Sequence, residues 1–215
     1  MPVIKVDNWI IRIKMCAEEF IKNYWQYYIE LEKQFIETQR FVAFDSQNNA
    51  TFSMEYIKLL QVICSEIDVV GKVIAKHANP EFVIDKNTNI NKWGLEIQQA
   101  FPAIDESRIR FWGEHEILPW KNWKYVFNKK GKGKRIVLDK TVNAKSPFWW
   151  VAYNAVKHNR TSVEKGNRPN YTRANLKSVT YALGALYILE KNQLNTYELK
   201  NTTMIEDSRV FRVVK

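Results

Sequence analysis

Residues that hold metals or cross-link small folds are few: two cysteines, Cys16 and Cys64, and three histidines, His77, His115 and His158, in 215 residues. The cysteines form no pair at metal-ligand spacing. Both fall on apolar stripes of predicted helices, so they read as reduced, buried thiols. The histidines sit in separate elements and no HExxH occurs, which weighs against a metal hydrolase and leaves no metal or cofactor implied. No apolar run approaches 18 residues, so no membrane-crossing helix is expected. The opening MPVIKVDNW lacks the basic stretch and long apolar core of a secretion signal, so a cytoplasmic protein is expected. There is no internal repeat and no low-complexity segment. Neither glycine nor proline occurs between residues 7 and 43.

What the chain does have is apolar content and an uneven charge. Hydrophobic residues make up 46%, enough for one sizeable core, so residues 1–215 read as a single domain with an insertion at about 107–145. Residues 1–120 hold 13 Lys/Arg against 17 Asp/Glu, a formal −4. Residues 121–215 hold 20 against 6, a formal +14. A strongly basic second half points to an anionic partner, nucleic acid first and a phosphate-rich small molecule second. The alternative is solubility plus attraction between the two halves.

The uninterrupted stretch 7–43 repeats apolar residues every three or four positions, through Phe20, Tyr24, Tyr27/Tyr28, Leu31 and Phe35. It predicts one long amphipathic helix, or two end to end, capped by Asp7. A second helix is predicted over 53–78, capped by Ser53, with Phe52 stapled onto Ile57. Glu66 lies on or beside its apolar face. A carboxylate there needs a cation or donors, and His158 or Arg160 are the predicted partners. A shorter helix is predicted over 89–100. The last long helix runs through about 171–192, with Asn175 on an apolar-leaning face and expected to hydrogen-bond across the bundle. The tail SRVFRVV alternates like a strand, one that could join the hairpin described next.

Between these helices the pattern changes. Arg108–Phe111 alternates as a short strand. Trp123–Phe127 and Arg135–Leu138 read as a hairpin with a basic tip, where Lys129, Lys130, Lys132, Lys134 and Arg135 are candidate phosphate ligands and Gly131 and Gly133 supply the turn. The fold class that follows is mainly α: a bundle of four to five helices with a small β-hairpin insertion and a C-terminal strand.

The densest chemistry lies in residues 146–160, SPFWWVAYNAVKHNR. Ser146 suits an N-cap and Pro147 the first helical position. Phe148, Val151, Ala152 and Ala155 form the predicted apolar face. Trp149, Tyr153, Val156 and Arg160 form a second stripe. Trp150, Asn154 and His158 form a third, with Lys157 beside them. His158 is the candidate acid or base and Asn154 an orienting amide, with Lys157 and Arg160 as phosphate ligands and Tyr153 and Glu66 behind them.

Two long helices, a shorter one, WWVAYNAVKHNR and then YTRANLKSVTYALGALYIL together resemble the HEPN superfamily of helical bundles, common in bacterial conflict and defence systems. The resemblance covers the four main helices and not the hairpin. Catalytic HEPN proteins carry an Arg, often followed by a polar residue, with a His after four to six intervening residues. They act as metal-independent dimeric ribonucleases with the two motifs meeting at the interface. Asn154 and His158 match the polar residue and the His, while Tyr153 stands where the Arg would be. A phenol does not hold a phosphate as a guanidinium does. A looser Arg-to-His spacing joins Arg108 and Arg110 to His115.

Two functions follow as expectations. One is a HEPN-like protein that binds RNA or a nucleotide, with binding favoured over cleavage. The other is a non-catalytic accessory scaffold that dimerises through its long helices.

Overall fold

The computed structural model describes residues 15–113, 115–124, 146–163, 167–198 and 205–214, and the backbone of 127–129 and 136–138. The chain is mainly helical. Helices α1 (Ala17–Phe20) and α2 (Gln26–Glu37) are joined without a break by a π-helical turn (Ile21–Trp25). After this rod come α3 (Met54–Ala78), α4 (Ile90–Ala100), α5 (Phe148–Asn159) and α6 (Leu176–Leu194). Five short strands complete the described structure: β1 (Ile109–Phe111), β2 (His115–Ile117), β3 (Phe127–Lys129), β4 (Ile136–Leu138) and β5 (Phe211–Val213). The predicted cap Asp7 and the hairpin tip with Lys130, Lys132, Lys134 and Arg135 lie outside the described residues.

The central helix is α3, which packs most extensively on α6 and next on α4. Its start follows from Ser53, whose hydroxyl accepts the Tyr56 amide at 3.1 Å. Tyr56, Leu59, Leu60, Ile63, Ile67, Val70 and Ile74 recur at helical spacing and all are buried. Gly71 lets α4 approach: a Cβ there would stand 2.8 Å from the Trp93 ring. The Phe52 ring meets Tyr171, 5.6 Å between centroids, and residue 52 forms a β-bridge with Asn175.

Helix α5 begins one residue later than its sequence suggests, with Pro147 at the cap and no side chain capping the amino end. Asn175 does not cross the bundle. It caps α6, accepting the Ser178 amide at 3.0 Å and donating to the Thr172 carbonyl at 3.3 Å. An Asn that can satisfy the open amides of a helix start has no reason to sit inside the helix.

The sheet order is β2-β1-β5, antiparallel throughout, and β3 pairs with β4 separately. The tail strand therefore pairs with β1 and not with the hairpin. Phe211 explains the choice: its ring lies 5.7 Å from both Phe111 and Tyr187 and is fully buried. The tail is also tied to the first rod. Glu32, 1% exposed, accepts from Tyr28 Oη at 2.6 Å, from the Arg209 amide at 2.7 Å, from the Val210 amide at 3.4 Å, and from Ser208 Oγ. A buried carboxylate so fully met by donors is tolerated without a cation.

Candidate functional site

Burial on α5 departs from the predicted stripes. Trp149, Trp150, Ala152, Tyr153 and Val156 face the core, while Phe148 and Val151 remain 44% and 45% exposed. The larger rings remove more apolar surface from water, so the aromatic stripe goes inward. Trp149 stacks edge-on against Trp120 at 5.1 Å, and its indole N–H donates to the Pro119 carbonyl at 2.8 Å. Trp93, Trp120, Trp123 and Trp150 extend the cluster.

The outward side of α5 carries Val151, Asn154, Ala155 and His158 at helical spacing, with Asn154 and Ala155 half-buried and His158 exposed. Lys157 and Arg160 are exposed beside His158. Tyr153 is buried, and the Lys157 ammonium lies over its ring, 5.3 Å from the centroid. Asn154 and His158 lie one helical turn apart on the same side.

At the other end of α5 the surface folds into a cavity of about 620 Å³. Lys121, Arg173 and Lys177 line it, together with Phe148, Tyr181 and Glu116. The Phe148 and Tyr181 rings meet edge to face at 4.9 Å. The Lys177 ammonium sits 5.4 Å from the first ring and 5.9 Å from the second. Asn122, at φ 66°, turns the Leu118–Trp123 loop and so presents Lys121 on one side while Trp123 is buried on the other. The uncapped α5 amino end opens beside these cations, adding its own positive potential. Val151 lines the cavity and His158 lies two turns further along the same side, about 10 Å up the helix.

The looser Arg-to-His match does not form one site. Arg108 and Arg110 pair with Glu116 at 3.7 Å and 3.6 Å. His115 is the neighbour of Glu116 in β2, and neighbours in a strand point to opposite faces.

The predicted partner of Glu66 is also different. Neither His158 nor Arg160 reaches it. Glu66 is instead drawn up to a pKa of about 7 by burial. Its neighbour in the α3–α6 interface is Glu190, which is fully buried with neither carboxylate oxygen hydrogen-bonded among the described residues. Burial first, and then the Glu66 charge, hold the Glu190 carboxyl well above the usual carboxylate range. Tyr24, in the π-helical turn, feels both acids, although burial is the larger cause of its raised pKa. Further along the same interface the Gln193 amide meets His77 Nδ1 at 2.9 Å. Cys64 is buried as expected, but Cys16, the extended residue at the amino cap of α1 and not on its helical face, is exposed. Among the described residues no three His, Cys, Asp or Glu side chains come together to hold a metal ion.

Sequence reasoning missed the cavity because Lys121, Arg173, Lys177 and Tyr181 are scattered over three segments. The signals that existed were the Ser146–Pro147 helix start and the basic second half. It also missed Glu32 and Glu190, which look like ordinary surface acids of amphipathic helices. Lys129 lies in β3. No helix of the described chain is long and apolar enough to cross a membrane. Compared with known proteins, the chain matches no family model, no curated protein and no solved structure.

Proposed function

We propose that this chain binds single-stranded RNA through the outward side of α5 and the cavity at its amino end. The observation that carries the reading is the cavity itself: three cations and two aromatic rings around an uncapped helix start. Cations and stacking surfaces in alternation suit a polyanion with unpaired bases. Lys157, His158 and Arg160, two turns along the same helix, extend the basic track beyond what one phosphate needs. The formal +14 of residues 121–215 and the resemblance to HEPN bundles support the same reading, including a role in a bacterial conflict system. In this reading Lys157 takes the place of the missing Arg, and His158 is the group that would move a proton from a 2′-hydroxyl. Binding is the primary activity and cleavage secondary.

A second reading is a dimeric scaffold without catalysis. The exposed apolar pair Phe148 and Val151 favours it, since the same outward side of α5 could meet a second copy.

One experiment separates them. The purified chain is incubated with mixed single-stranded RNA in EDTA beside a His158→Ala variant. Salt-sensitive binding without cleavage supports the RNA binder, and cleavage lost in the variant adds the nuclease. Absence of binding at low salt overturns the RNA reading and leaves the scaffold.

A further inference from the structure

Glu116 belongs to two surfaces at once. It lines the large cavity at the amino end of α5, and it stands on the solvent side of the three-stranded sheet. Its register partner in β1 is Arg110, and the register partner of Arg110 in β5 is Arg212. Residues directly opposite one another share a face, so one row across the sheet reads Glu116, Arg110, Arg212. Arg108 lies two positions before Arg110 and joins the same side. Its carbonyl accepts the Val214 amide at 3.1 Å, which carries the ladder one step past β1. The opposite side of the sheet is apolar, with Ile109, Phe111, Ile117 and Phe211 buried.

The solvent side thus gathers three guanidiniums around one carboxylate. The side chains of Arg108 and Arg110 are 60% and 50% exposed, and Arg212 is exposed as well. Like charges directly opposite each other in a sheet are unfavourable, and Arg110 and Arg212 stand so. They do not simply follow from the basic second half, because Arg108 and Arg110 come from the half with a formal −4. Glu116 offers one oxygen to each of these two, Oε2 to Arg108 at 3.7 Å and Oε1 to Arg110 at 3.6 Å. Both distances exceed the ~2.7–2.9 Å of a charge-assisted hydrogen bond, so guanidinium N–H groups remain for a closer acceptor. Arg212 donates to the Phe211 carbonyl at 2.8 Å and meets no carboxylate among the described residues.

We infer that this side of the sheet is a second phosphate-binding surface for the RNA held in the large cavity, with Arg108, Arg110 and Arg212 as ligands of its backbone and Glu116 in the place of a phosphate in the free chain. The inference rests on the RNA reading above and extends its track from α5 onto the sheet. The bridging geometry carries it. A carboxylate with one oxygen toward each of two arginines stands as a phosphodiester would stand with its two unesterified oxygens. Glu116 also bounds the cavity. A strand leaving there meets Arg110 on the next β-strand, ~4.8 Å away, and Arg212 one strand further. Arginine suits this role better than lysine, because its planar fork holds two phosphate oxygens at once. The row contains no ring to stack on a base, so the surface meets backbone charge and not sequence.

The test is filter binding of the full chain to polyuridylate at several salt concentrations. Arg110→Ala and Arg212→Ala are each expected to weaken binding threefold or more. Each should also lower the slope of log affinity against log salt by about 0.7, the value for one single-strand phosphate contact. Glu116→Gln releases Arg108 and Arg110 and is expected to tighten binding at least twofold. The substituted side chains face solvent, so thermal melts should match that of the parent. Arg212→Ala, on the edge strand, serves if Arg110→Ala does not fold. Arginine variants that keep the parent's affinity and salt slope overturn the inference. If Lys177→Ala weakens binding while both arginine variants match the parent, the sheet surface fails and the cavity reading stands. If the parent binds no RNA at low salt, the RNA reading fails with it. Polyglutamate bound through Arg110 in place of RNA would assign the surface to an acidic protein and overturn the inference as well.

Discussion

Glu190 of α6 feels the charge of Glu66 of α3 inside the bundle, and among the described residues no cation or hydrogen-bond donor meets the Glu190 carboxylate. The contrast with Glu32 is instructive, since that equally buried acid is met by four donor groups. One carboxyl is fully met by donors, while burial and the Glu66 charge push the pKa of the other up.

The pair makes stability depend on pH in the direction opposite to that of most protein carboxylates. An unfolded Glu titrates near ~4.3, whereas folded Glu66 titrates at about 7 and Glu190 is also raised. Above the unfolded value the folded chain binds more protons than the unfolded one, so stability is full below about pH 4 from this pair and falls as pH rises through 7. Urea melts should show greater stability at pH 5 than at pH 8, once other groups are matched by a control. Glu190→Gln removes one of the two titrating acids and should reduce this slope, leaving the variant more stable than the parent at pH 8. An unchanged slope would show that Glu190 is not a source of it.

Glu32→Gln should behave differently. It turns an acceptor of several hydrogen bonds into a side chain whose NH2 confronts donors, and should cost about 2–4 kcal/mol at neutral pH. Tyr28→Phe removes one donor to Glu32 and should cost about 1 kcal/mol. Thermal melts of both variants check the order.

Close approach at Gly71 gives a third expectation. Gly71→Ala would thrust a methyl to within 2.8 Å of the Trp93 ring, whose indole N–H is already fixed on Asp68 at 2.9 Å. Overpacking at such a site costs about 1–3 kcal/mol, despite the better helix propensity of alanine. Chemical denaturation would register the loss as a lower midpoint.

For RNA binding, Lys121→Ala, Arg173→Ala and Lys177→Ala should each weaken affinity. Each should also reduce the slope of log affinity against log salt by about 0.7, the value for one single-strand phosphate contact. Filter binding at several salt concentrations measures both. His158→Ala replaces an exposed side chain and should alter stability by less than about 0.5 kcal/mol. Any loss of RNA cleavage in that variant then reads on chemistry and not on folding.

Helix spans were legible because periodicity and capping chemistry agreed, as at Ser53 in front of α3. The strand Ile109–Phe111 and the tail strand were legible from alternation, but their partnership was not, since pairing depends on where Phe211 finds a ring-lined slot. On α5 the same residues gave three plausible stripes, and only packing decides that Trp149 and Tyr153 go inward while Phe148 stays out. Lys157 and His158 were found because they lie on one helix. Lys121, Arg173 and Lys177 were not, because nothing local in the sequence brings them together. Glu190 escaped notice for a related reason: a single acid at the end of an apolar helix gives no sign that its carboxylate will be sealed in.

The bonds between Glu32 and residues 208–210 span more than 170 positions of chain. During synthesis the first rod must therefore wait, its acid hydrated and its inner side unsealed, until Ser208 and Arg209 have left the ribosome. A chain cut short of those residues would leave Glu32 without three of its four donors, so the segment leading into β5 works as a latch on the first rod.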